Sequence, residues 1–138
     1  MKLLLVAALL IAAPLASGQD AAPVSMAHAE LEWTEMIPGV SFAAAHGDWS
    51  SEAHGKFVRI DPGIMAPLHV HTHAYHGVML SGTLTHPYAG EDNPPELGPG
   101  AYFYAPGGAA HVTGCISDEP CVFYTHGDDL WDIAVVED

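Results

Sequence analysis

GIMAPLHVHTHAYHGVMLSG, residues 63–82, decides the fold, and GAYFYAPGGAAH, residues 100–111, answers it further along the chain. His69, His71 and His73 occupy alternate positions, so on an extended strand their side chains share one face, with His76 just past the turn that follows. Two imidazoles on one strand grip a single ion only when a second element returns to close the coordination sphere. His111, behind Pro106-Gly107-Gly108, is placed to do so.

Outward from that stretch, Gly (14) and Pro (11) are scattered at short intervals, and no window keeps a helical period. The pattern is all-β. Strands are predicted over Val40 to Ala45, His54 to Ile60, Ile64 to His71, His76 to Leu80, Thr83 to Tyr88, Ala101 to Ala105, Ala110 to Ile116, Cys121 to Thr125 and Ile133 to Val136. Pro67 marks its strand as an edge or bulge, and Pro94, Pro95 and Pro99 make residues 91–99 a loop, because proline donates no ladder hydrogen bond. Short strands at this spacing predict a closed sandwich or jelly roll.

Residues 1–18 read as a secretory signal, with Lys2, an apolar run from Leu3 to Ala13, and Ala16-Ser17-Gly18 as the cleavage site before Gln19. That predicts a periplasmic or secreted protein, with residues 19–39 as an N-terminal arm and 40–136 as one barrel domain. Without Lys2 the chain keeps Lys56 and Arg59 against 17 acids, 2 minus 17 or −15 with neutral histidines. Such a field disfavours nucleic acid and anionic lipid and attracts cations, so a small-molecule partner is expected, with no nucleic acid and no membrane after signal removal.

The two stretches resemble the motifs of the cupin superfamily. Gly63, His69, His71 and Gly82 fall in the first motif, and Gly100, Pro106, Gly108 and His111 in the second, with Cys115 where the family has asparagine. Seventeen residues separate Gly82 from Gly100, a normal spacing between the motifs. The surrounding text resembles short exported bacterial single-domain cupins. The resemblance implies an RmlC-like double-stranded β-helix, a cupin jelly-roll barrel. It also implies one divalent transition-metal ion (Zn, Ni, Cu, Fe or Mn) on His69, His71, His76 and His111. The function it implies is a mononuclear metal-dependent enzyme, oxygenase or decarboxylase/lyase-like, acting on a small organic substrate. The alternative is a periplasmic small-ligand or metal-binding sensor without turnover. Small cupins often pair through their sheets, so a homodimer is expected.

One motif position departs, because no Asp or Glu lies between Asp61 and Glu91 to supply the family's glutamate. Counting back from Gly82 places Tyr75 in the slot, whereas counting forward from His71 places His76 there, and a shift of one residue reverses the face. We expect His76, because His76, Val78 and Leu80 make a plausible inward row and a neutral imidazole binds borderline metals without first losing a proton. Tyr75 is the other reading. The glycines Gly82 and Gly108 are expected at turns that need a positive φ. Cys115 and Cys121, in an exported chain, are expected to form a hairpin disulfide. His73 and the remaining histidines read as surface or satisfied core, with His54 and His86 nearest the barrel mouth. Trp33, Trp49 and Trp131 read as barrel-end covers.

Overall fold

Two long hairpin partners, β2 (Val40–His46) and β3 (His54–Ile60), begin the barrel at the predicted positions. The computed structural model describes residues 23–137; the expected signal segment lies outside the described residues. β1 (Thr34–Ile37) precedes them and pairs antiparallel with β2, so the stretch expected to be only an arm supplies a strand. β4 (His69–Val70), β5 (Tyr75–Ser81), β6 (Leu84–Thr85), β7 (Tyr102–Ala105), β8 (Gly114–Cys115), β9 (Cys121–Gly127) and β10 (Ala134–Val135) follow.

The principal sheet has the order β1-β2-β3-β9-β5-β7. Opposite its inner face lie two short pairs, β10-β4 and β6-β8, tied together by the bridges Met65↔Gly114 and His69↔His111. The predicted strands at Ile64 to His71 and Ala110 to Ile116 are therefore mostly bridged, irregular backbone. Proline accompanies the break: Pro67 has no N–H to donate, and the pairing slips by one residue across it, from the Met65↔Gly114 register, with Ala66 N–H on Thr113 O at 2.8 Å, to the His69↔His111 register.

Inward side chains alternate with outward ones. Phe42, Val58, Ile60, Met79, Leu84, Phe103 and Phe123 form one buried cluster, closed at the end by Trp49 and Trp131, whose rings meet Phe42 edge-on at 5.9 and 5.1 Å. Trp131 N–H donates to the Trp49 carbonyl at 2.6 Å, so the chain end is fastened over the barrel by backbone as well as by rings. Cys115 and Cys121 are joined, with Cα atoms 5.6 Å apart, and both are buried in the same cluster. Among the described residues no helix is long and apolar enough to cross a membrane.

Candidate metal centre and its cavity

His69 and His111 exchange both backbone hydrogen bonds, His69 N–H to His111 O at 3.0 Å and His111 N–H to His69 O at 2.9 Å. In a hydrogen-bonded antiparallel pair the opposed side chains stand side by side on one face, and the two rings lie 4.4 Å apart. His71, two residues on, shares that face. The Pro106-Gly107-Gly108 turn holds the two segments together: Gly108 N–H donates to His71 O at 2.8 Å, and Gly107 has no Cβ because one would sit 2.5 Å from Thr72 O. Gly108 and Gly82 take the expected positive φ, 76° and 72°.

All three rings are buried, and their ligand atoms lie within 4.8 Å of one another. Each Nδ1 is beside a backbone carbonyl, which can only accept, so each Nδ1 carries the proton. His69 donates to Pro67 O at 2.7 Å, His111 to Ala109 O at 2.8 Å, and His71 to the backbone oxygen of Asp132. This arrangement fixes the tautomers and leaves three Nε2 lone pairs at the centre of the cluster, the second-sphere pattern that orients histidines on a metal. Burial lowers the pKa of His69 and His111 and pushes His71 down to about 4, so the three rings are neutral donors at neutral pH. The donor set fits a borderline transition metal.

His76 is not part of the cluster. Its ring is on the outer surface, with Nδ1 2.6 Å from the Tyr102 hydroxyl and its ring 4.9 Å from that of Tyr104, while Tyr75 points inward. The expected inward row of His76, Val78 and Leu80 is thus reversed: Val78 and Leu80 are exposed, and Tyr75, Gly77 and Met79 are buried. The reason lies on the neighbouring strand. Gly77 pairs with Phe103, whose ring fills the space over it, and a Cβ on Gly77 would lie 2.1 Å from that ring. The glycine that made this row look poor as core is what admits a large core residue from β7. Tyr75 consequently occupies the family's glutamate slot, with its hydroxyl 3.3 Å from His111 Nε2. Burial raises its pKa well above the ordinary tyrosine range.

His73 lies partly exposed, 3.6 Å from Asp129 Oδ2. His86 is buried behind His111, its Nδ1 on the Thr113 hydroxyl at 3.0 Å and its Nε2 without a partner, and burial pushes it down to about 3. His54 lies inside the barrel end, where its Nε2 meets the amine of Lys56, a residue that enters the sequence analysis only through the net charge. Lys56 is 1% exposed and lines a cavity of about 250 Å³ together with His69, His71, Tyr75 and Trp131. The signal was available: Lys56 shares parity with Val58 and Ile60 on β3, so alternation puts it on the inner face. Burial pushes its amine down to about 7.

No curated protein sequence is significantly similar to the chain. Solved structures share its fold at low identity. The polyketide cyclase RemF from Streptomyces resistomycificus has a TM-score of 0.71 at 14% identity, over 84% of this chain and 87% of that one. KdgF from Halomonas sp. has a TM-score of 0.62 at 20% identity, over 74% and 92%. The DMSP lyase DddQ from Ruegeria pomeroyi has 0.64 at 19%, over 78% and 62%. Likeness at this identity establishes the cupin jelly roll and nothing about chemistry. The family model for the ChrR cupin-like domain matches residues 21–129, the stretch that contains both histidine motifs, the inward tyrosine and the buried lysine, and the chain therefore belongs to the ChrR cupin-like family.

Proposed function

We propose that His69, His71 and His111 hold one divalent transition-metal ion, and that the protein is an exported metal-dependent enzyme acting on a small organic molecule in the adjoining cavity. The observation that carries this is the common orientation of the three rings, every Nδ1–H tied to a backbone carbonyl and every Nε2 turned inward. Among the described residues only the His111 Nε2 has a hydrogen-bond donor beside it, the Tyr75 hydroxyl at 3.3 Å, which leaves the His69 and His71 lone pairs free for a cation. A bound metal of this kind supplies Lewis-acid polarisation of a substrate oxygen. The chain itself supplies the rest: the walls are mostly apolar, and the protonated Tyr75 hydroxyl stands beside the triad, positioned to donate a hydrogen bond to a ligand there. The polyketide cyclase and the DMSP lyase support enzyme chemistry on small organic molecules in this fold. The Cys115–Cys121 bond supports export to an oxidising compartment.

A second reading, ligand or metal sensing without turnover, is favoured by one specific observation: among the described residues no carboxylate lines the cavity to act as a strong general base. The two share the metal site and part at activity. For the site itself, metal content after dialysis against chelator and reloading with zinc should be one ion per chain in the wild type and none in the His69→Ala, His71→Ala double variant. Undiminished stoichiometry in the double variant would overturn the assignment.

A further inference from the structure

Lys56 carries a buried amine that, among the described residues, has no carboxylate beside it. Among the described residues its amine makes one hydrogen bond, 3.2 Å to His54 Nε2, and no ion pair, although the chain carries 17 acids. The His54 tautomer is set independently of the lysine. Its Nδ1 faces the carbonyls of Glu52 at 3.1 Å and Asp129 at 3.0 Å, so it carries the proton and Nε2 offers a lone pair to the amine. The Trp131 ring lies 4.3 Å and the Phe42 ring 5.1 Å from Nζ. These faces attract a cation but accept no ordinary hydrogen bond. An ammonium has three donors, so two remain uncommitted on a group that is costly to bury unpaired.

We infer that Lys56 is the anion-recognition residue of the cavity, and that the ligand class is a small monocarboxylate with an apolar body. Deepening the function proposed above, this rests on its reading of the cavity as the ligand site, but not on the metal. The cavity wall is graded along β3 and its neighbour. Lys56 pairs with Thr125 at the polar end, and Ile60 pairs with Val40 two inward positions away at the apolar end. A carboxylate fits the polar end because it accepts from the two free N–H groups, and the hydrocarbon part then lies against Val40, Val58 and Ile60. The volume of about 250 Å³ restricts the ligand to a small molecule. A single buried amine matches a single negative charge. The acidic exterior of the protein gives an anion no comparable docking point elsewhere on the described surface, where Arg59 already pairs with Asp61 at 3.2 Å.

The test is calorimetric titration of butanoate, 4-methylpentanoate and phenylacetate, each against its neutral amide, and of inorganic phosphate, into the full chain stripped of metal and again loaded with zinc. For at least one pair, the stripped wild type should bind the carboxylate about tenfold or more tightly than the amide, as expected of a charge-assisted hydrogen bond in a dry site. Lys56→Met should abolish the preference and Lys56→Arg should retain part of it. The wild-type preference is readable even if the methionine variant does not fold. Equal binding of acid and amide, binding of neither, or phosphate taken in place of carboxylates would overturn the assignment. So would a preference that appears only with zinc and survives Lys56→Met, which places the anion on the metal and leaves the metal reading standing. A Lys56-dependent preference in a protein that takes up no zinc would uphold the lysine and sink the metal centre.

Discussion

Replacing Lys56 with methionine keeps much of the side chain's volume and removes its charge, and the effect on stability should depend on pH in a way that reports the burial. In the folded protein burial pushes the amine from its ordinary 10.5 down to about 7. Below about pH 7 both folded and unfolded chains hold the proton, and the folded state bears the full cost of a desolvated ammonium. Above it, up to the unfolded value, the unfolded chain holds a proton that the folded chain has released, so the unfolding free energy rises with pH. At about 1.36 kcal/mol per unit, the rise between about pH 7 and pH 9 approaches roughly 2.7 kcal/mol. Trp131 and Phe42 reduce it, because their ring faces favour the charged form. The methionine variant lacks the rise. It also leaves His54 Nε2 without its donor, an offset of about 1–3 kcal/mol that does not vary in this window because burial keeps His54 neutral there. Urea unfolding of the oxidised protein across that range is the assay. The difference between wild type and variant should move in favour of the wild type by about 2 kcal/mol. Parallel pH profiles for the two proteins would refute the argument.

Three other outcomes are expected. His76→Ala should leave zinc affinity within about twofold of wild type, since the ring is on the outer face, whereas metal loss in a dialysis assay would return it to the site. Gly77→Ala should destabilise by about 1–3 kcal/mol in chemical unfolding through its clash with Phe103, and adding Phe103→Leu should recover part of the loss; equal stability of the Gly77→Ala variant and wild type would contradict the packing described. Replacing both Cys115 and Cys121 with alanine should cost roughly 2.4 kcal/mol on the chain-entropy account of a short closed loop, checked by the same unfolding experiment.

Much of the site was legible because its spacing is local. His69 and His71 share a face by strand alternation, and the turn at Pro106 to Gly108 announces the return of His111, so the three clustered histidines could be picked out from one sequence, although His76 was grouped with them. Strand positions on β2, β3 and β9 were legible for the same reason. The glutamate slot was not. Tyr75 and His76 differ by one residue, and the deciding fact, the Phe103 ring lying over Gly77, belongs to a strand that follows a long proline-rich loop. Nor did the extent of β4 and β8 follow from their apolar character, since Pro67 and the bridging pattern around Thr113 interrupt both.

By itself the sequence determined an all-β chain, the grouping of His69, His71 and His111, and the pairing of Cys115 with Cys121, since each depends on residue parity, turn chemistry or composition over a few neighbouring positions, while the cupin kind came from the resemblance of its two motifs. Only the tertiary structure decided that Tyr75 faces inward and that the Nδ1 protons of the three clustered histidines are fixed by carbonyls of Pro67, Ala109 and Asp132. The same holds for the pocket of Phe42, Trp131 and His54 that closes on Lys56 with no acid in reach among the described residues. The physical reason is that these are contacts between segments far apart in the chain. Their geometry is set by which side chain fits over which neighbour in a filled interior, and no local period records that fit.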